Sequence, residues 1–198
     1  MSRPDRSLPP DYFEALYAKD PDPWRFASSA YERDKYAATL DALQRPHYAR
    51  AFEVGCSIGV LTAALAPRCG KLLAVDAAEA PLAEARRRCS DLPHVAFERM
   101  RLPEEWPEGG PFDLILLSEM VYYLDPADVG RLAGRVGASL APGSEVLLVH
   151  WTGETDYPLS GDAATALFIE AAAPHAAPVR QSRAERYRLD LLRAAPRG

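Results

Sequence analysis

Ala51-Phe52-Glu53-Val54-Gly55-Cys56-Ser57-Ile58-Gly59-Val60-Leu61-Thr62 decides how this chain is read. A short apolar run ends in Glu53 and Val54, turns through two glycines and continues into a helical pattern, which predicts a strand, a tight turn and a helix start. Glycine at 55 and 59 lets backbone come close to a ligand that a side chain would block. A second apolar run, Lys71-Leu72-Leu73-Ala74-Val75, ends in Asp76. An acid there, about 20 residues past the glycine turn, is placed to accept hydrogen bonds from ribose hydroxyls. The turn lacks the second glycine of the dinucleotide fingerprint, and it lacks the glycine-lysine-hydroxyl ending of a phosphate loop. The pattern therefore predicts a nucleoside site without a phosphate chain. Glu53 agrees, because an acid at the strand tip repels phosphate and suits a cationic or hydroxyl-rich ligand.

Outward from this turn, strands alternate with helices. Strands are predicted over 51–54, 71–75, 95–99, 112–118 and 145–150, with helices over 61–66, 81–89 and 126–140 between them. The strands read as continuous apolar runs, as in a parallel sheet covered on both faces. Ligands of such a doubly wound sheet bind beyond the carboxyl ends of its strands. The end of the chain differs. After a helix over 162–172, residues 179–182 and 185–192 read as two strands with a short link, which forces an antiparallel hairpin. The expectation is one α/β domain over 1–198, with a mostly parallel seven-stranded sheet. Residues 1–10 are expected to be loosely attached and 171–178 to be a connector. Residues 11–46 carry two helices, the second capped by Ser28 or Ser29. They are expected to form a lid over the ligand crevice, with Trp24, Phe26, Tyr31 and Lys35 either over the ligand or buried against the sheet.

Composition sets bounds. The chain has 198 residues, 48% hydrophobic and 26% charged, which suits one ordinary globular core. No apolar run approaches a membrane span, and the start lacks an apolar signal core, so the cytoplasm is the expected compartment. Cys56, Cys69 and Cys89 show no metal spacing and read as packing residues. Net charge is −5 with the basic residues interspersed, which disfavours a nucleic-acid partner.

Chemistry is expected where strands four and five end. The first delivers Ser118, Glu119 and the pair Tyr122 and Tyr123. The second delivers His150 and Trp151, with Asp156 and Tyr157 beyond. Glu119 reads either as a surface acid near a helix start or as the group that binds or deprotonates an acceptor. His150 either caps the sheet through backbone bonds or serves as a base or hydrogen-bonder. Tyr123, Trp151 and Asp156 are the candidate acceptor contacts.

Glu53-Val54-Gly55-Cys56-Ser57-Ile58-Gly59 resembles the first motif of the class I S-adenosylmethionine (SAM)-dependent methyltransferases, with Ser57 in place of the motif's middle glycine. That family's sheet also ends in an antiparallel hairpin. Longer blocks resemble the nodulation protein S (NodS) family: Asp20-Pro21-Asp22-Pro23-Trp24, Tyr31-Glu32-Arg33-Asp34-Lys35-Tyr36, the glycine turn, Ser118 to Leu124, and His150 to Leu159. The resemblance implies SAM as cofactor and methylation of the free amine of an amino sugar or deacetylated chitooligosaccharide. It implies that the turn at Gly55, Cys56 and Gly59 approaches the methionine part, Glu53 lies near its amino end, and Asp76 with Ala77 holds the ribose side. Ser118, Trp24 and Lys35 complete the implied cofactor contacts. Met100 or Arg101 falls where that family commonly carries an adenine-holding acid, so adenine is expected against backbone there, the Trp106 ring or the lid. Transfer is expected to be direct and in line, with Glu119 and His150 as candidates to take the amine proton. Another small nitrogen or oxygen acceptor stays open, as does a SAM-binding module without turnover; an NAD-linked enzyme is disfavoured by Ser57 and the missing fingerprint glycine.

Overall fold

A computed structural model describes residues 3–195. The chain packs into two compact units, residues 9–101 and residues 3–8 with 102–195. Met1 and Ser2 of the segment expected to be loosely attached lie outside the described residues.

The first unit holds α1 (Pro10–Lys19), α2 (Ala30–Ala42), β1 (Ala51–Val54), α3 (Val60–Leu65), β2 (Leu72–Asp76), α4 (Glu79–Arg88) and β3 (Val95–Arg99). Its strands run parallel in the order β3-β2-β1, with Val54 beside Val75 and Asp76 beside Arg99. Two αβ connections between parallel neighbours force this, since a hairpin cannot join them. β1 is buried along its whole length, whereas β3 is largely exposed at the sheet edge. Asp20-Pro21-Asp22-Pro23 ends α1, and the Ser29 hydroxyl caps α2 by accepting from Glu32 N–H at 3.4 Å. Of the two serines read as caps, Ser29 is the one used.

The second unit holds β4 (Phe112–Ser118), α5 (Pro126–Ala138), β5 (Leu140–Trp151), α6 (Gly161–Ala172), β6 (Ala176–Arg183) and β7 (Tyr187–Ala194). β4 and β5 are parallel, β7 pairs antiparallel with β5, and β6 pairs antiparallel with β7 at the outer edge. Asp125 caps α5, its Oδ1 accepting from Ala127 and Asp128 N–H at 2.9 and 3.0 Å, which contributes about 1 kcal/mol. Ser7 N–H donates to the other oxygen of Asp125 at 3.2 Å and Leu8 N–H donates to Tyr123 C=O at 2.8 Å, so residues 7 and 8 are tied down.

Seven strands, mostly parallel with a closing antiparallel hairpin, are the doubly wound arrangement expected from the sequence. Two strand boundaries differ by more than two residues. β5 begins at Leu140, five residues early, because Leu140 pairs with Phe112 before the register shifts. The segment 171–178 is no connector: α6 takes its start and β6 its end. Pro178 is tolerated because β6 is an edge strand, and the register shifts between Pro178 and Arg180.

Candidate active site

In the first unit the glycine turn leaves β1 with three residues in the left-handed region: Gly55 (φ 78), Ser57 (φ 49) and Gly59 (φ 75). Glycine adopts such angles freely, whereas serine pays for them. Ser57 N–H donates to Asp76 Oδ2 at 2.9 Å, and Ala78 N–H donates to Asp76 Oδ1 at 3.0 Å. The turn and the acid expected to act together are thus in direct contact. Burial raises the Asp76 carboxyl to about 6 against these two bonds, which pull it down.

A Cβ at Gly59 would lie 2.9 Å from Ala85 Cβ, so the glycine lets α3 pack closely on α4. Glu53 is 1% exposed. Burial pushes its carboxyl up to about 8, and the Thr62 hydroxyl beside it opposes the rise. Neither Glu53 Oε2 nor Thr62 Oγ1 has a hydrogen bond of good geometry among the described residues. Cys56 is buried too, its thiol pushed up by burial and by the nearby carboxylates.

The N-terminal helices bring Tyr17, which no motif marked. Tyr17 of α1 places its hydroxyl 2.5 Å from Ser57 Oγ. Its ring packs with Ile58 and Ala78, and Phe13, Trp24 and Phe26 close round them. Trp24 lies edge-on to Tyr17 at 5.7 Å and stacked on Phe26 at 5.6 Å. Burial and the neighbouring Asp76 raise the Tyr17 phenol, so it stays protonated. Lys35 is 2% exposed; its ammonium meets Glu32 at 2.9 Å and stands 5.4 Å from the Tyr31 ring centre, the pair that helical spacing puts on one face. After β3, Met100 N–H donates to Asp76 C=O at 2.9 Å, while Arg101 is exposed.

In the second unit Glu119 follows β4 with φ 56, a strained angle for a residue with a side chain. Its Oε2 accepts from the Tyr122 hydroxyl at 2.7 Å and from Trp151 N–H at 2.8 Å. Two donors on one oxygen fix how the carboxylate points. Tyr122 is buried and Tyr123 half-buried; they sit in a single 3₁₀ turn, Val121–Tyr123, with Tyr157 packed on both at 5.3 and 4.6 Å. Burial raises both phenols, with Glu119 and Tyr157 adding to it. Ser118 is buried, Trp151 half-buried and Asp156 exposed.

His150 departs from its expected role as a base. The ring has 0% exposure. Nε2 accepts from Val121 N–H at 3.2 Å, and Nδ1 lies 3.2 Å from Thr165 Oγ1, whose own proton goes to Gly161 C=O at 2.8 Å. Nδ1 therefore carries the proton and donates to Thr165, leaving no ring nitrogen for a ligand. Capping the sheet end was the other reading of this residue, and the geometry is that one. Trp106, one candidate to hold adenine, donates from Nε1 to Ser139 Oγ at 2.7 Å. Thr165, Tyr17 and the Glu119–Tyr122 bond went unread in the sequence. Only the serine at the motif's middle glycine hinted at the second of these.

The family model for nodulation protein S (NodS) matches residues 13–143. The chain belongs to the NodS family. Nodulation protein S of Rhizobium tropici is 33% identical over 128 residues, 64% of this chain and 53% of the relative. The chain thus spans about half the length of the curated NodS relatives it matches. A solved structure from Pseudomonas syringae is 38% identical, with 83% of this chain and 99% of that one covered and a TM-score of 0.73. The N-methyltransferase NodS from Bradyrhizobium japonicum, solved with S-adenosyl-L-homocysteine (SAH), shares the fold at 21% identity and a TM-score of 0.80, over 93% and 97% of the two chains. The NodS match takes in Tyr17, the glycine turn, Asp76 and Glu119, and it ends before His150. No helix among the described residues is long and apolar enough to cross a membrane.

Proposed function

We propose that the chain is a SAM-dependent methyltransferase acting on the amine nitrogen of an amino sugar or a deacetylated chitooligosaccharide-like acceptor. Membership of the NodS family supports the reaction class. The observation that carries the reading is Asp76, a carboxyl held at both oxygens by the backbone of the glycine turn and of the α4 start. Such a group is set to receive hydroxyls of a ribose.

The residues present fit that cofactor. The left-handed turn offers backbone without side-chain bulk at Gly55, and Glu53 carries a buried carboxyl oxygen without a good partner, a suitable neighbour for an ammonium. When bound, the cofactor supplies a methyl on a positive sulfur, already activated for transfer. What remains for the protein is to orient, exclude water and manage one proton. Glu119 takes the acceptor's ammonium as counter-ion and then its proton, since an amine attacks only when deprotonated. Tyr122 and the Trp151 N–H hold that carboxylate in one direction. His150 acts behind them, by holding the Val121 N–H of the same turn. Tyr123, Trp151 and Asp156 are the acceptor contacts in this reading, and Trp24 and Lys35 belong to the cofactor side.

Calorimetry with SAH and a turnover assay with labelled SAM test the proposal. Wild type binds SAH, and Asp76→Asn, which keeps the shape and loses the charge, weakens binding by at least about tenfold. Label passes to glucosamine or its deacetylated oligomers. Tight binding with no transfer to any amine or hydroxyl acceptor leaves a binding module, and no binding at all removes the reading.

A further inference from the structure

Ser57 stands where the motif calls for glycine, and it holds the left-handed conformation that glycine would adopt freely (φ 49). Its N–H is one of the two donors that fix Asp76. Its hydroxyl lies 2.5 Å from that of Tyr17. We propose that Tyr17 is a positioning residue for the cofactor: by holding the Ser57 side chain it keeps the turn left-handed, and so keeps the Ser57 N–H aimed at Asp76. The inference rests on the proposed cofactor site and goes beyond it, by assigning a role to a helix outside the motif.

The energetics are local. A residue with a Cβ resists the left-handed region, a bias of about tenfold or more toward other angles. One buried hydroxyl-to-hydroxyl bond is worth a comparable factor. The bond therefore offsets the strain, and without it the strain acts on the turn unopposed. Packing of α1 does not depend on the bond. The Tyr17 ring is embedded with Ile58, Ala78 and Trp24, and Glu14 of the same helix accepts from Glu79 N–H at 2.8 Å. Removing the hydroxyl alone thus leaves the helix docked and releases only Ser57.

This gives a pattern that simple loss of packing does not. Measured as the dissociation constant for SAH by calorimetry, Tyr17→Phe and Ser57→Ala each weaken binding about tenfold, which is about 1.4 kcal/mol. Ser57→Gly is the reference for the second comparison, because glycine needs no partner to hold the angle. In the Ser57→Gly background Tyr17→Phe has no further effect, so the glycine rescues the phenylalanine. Thermal melts confirm that each variant is folded. A Tyr17→Phe penalty that persists in the Ser57→Gly background overturns the inference, as does a Tyr17→Phe protein that binds like wild type. If Ser57→Ala does not fold, the comparison of Tyr17→Phe with the Ser57→Gly double variant decides alone. Wild-type binding of SAH with no rescue removes only this inference; failure of wild type to bind SAH removes the cofactor site with it.

Discussion

The Tyr122 hydroxyl donates to Glu119 Oε2 at 2.7 Å, within a turn where Glu119 itself takes a left-handed backbone angle. Strain of this kind persists only where surrounding bonds over-determine it, and here Trp151 N–H supplies the second. The pair predicts graded losses. Glu119→Gln keeps the shape and an accepting oxygen but takes no proton, so turnover falls at least about a hundredfold while SAH affinity changes little. Tyr122→Phe frees the carboxylate to turn and costs about tenfold. Initial rates with labelled SAM and an amino-sugar acceptor check both. A Glu119→Gln protein at wild-type rate would remove the carboxylate from the chemistry.

His150 predicts a stability effect before a catalytic one. Its replacement by alanine leaves Val121 N–H and Thr165 Oγ1 without the ring and opens a cavity in a fully buried place. His150→Ala is expected to lose about 2–4 kcal/mol of folding stability, read by denaturant titration. Thr165→Val, which takes only the hydroxyl, loses about 1 kcal/mol. If His150→Ala keeps its stability and loses turnover, the imidazole acts on the substrate after all.

Glu53 makes stability fall as pH rises. Its carboxyl titrates at about 8 in the folded protein against 4.5 for the ordinary group, so between those values the folded chain keeps a proton that the unfolded chain has released. Stability is fully present below pH 4.5 and is lost progressively toward pH 8, by on the order of a few kcal/mol. Asp76 contributes in the same direction between 3.8 and about 6, less strongly because it is partly exposed. Glu53→Gln is neutral at every pH. It flattens the slope and leaves the variant more stable than wild type at pH 8, as melts at pH 5 and pH 8 would show. A wild type as stable at pH 8 as at pH 5 would mean the carboxyl is ionised in the fold.

What the sequence showed and hid follows from the range of the forces. β1, the glycine turn and Asp76 were legible because strand, turn and acid follow one another along the chain, so local pattern determines them. The hairpin was legible because a short link allows only one pairing. His150 was ambiguous, because its role is set by Thr165, fifteen residues on, across a helix start that no spacing rule connects to it. Tyr17 was silent for a similar reason: it is forty residues from Ser57, and an aromatic on an amphipathic helix reads as core. The early start of β5 went unread because Ala141-Pro142-Gly143 looks like a helix ending. The chain instead runs through it with Gly143 at φ 67 and pairs Leu140 to Phe112 first.

Gly59 separates a packing glycine from a ligand-facing one. It sits at φ 75, and a Cβ there would meet Ala85 Cβ at 2.9 Å and Ala85 Cα at 3.0 Å. Gly59→Ala therefore carries two costs: a left-handed alanine, about 1 kcal/mol, and the separation of α3 from α4, about 1–3 kcal/mol. The second depends on Ala85 and the first does not. Ala85→Gly introduced beside Gly59→Ala removes the Cβ-to-Cβ clash and recovers part of the loss, but it leaves the backbone term and adds a glycine inside α4, which itself costs about 1 kcal/mol. The double variant is thus expected to be less stable than wild type by at least those two terms, since the contact with the Cα of residue 85 remains, in melts with and without SAH alike. Had Gly59 been kept small for the ligand, Gly59→Ala would cost the free protein only the backbone term, Ala85→Gly would recover nothing, and SAH binding would weaken.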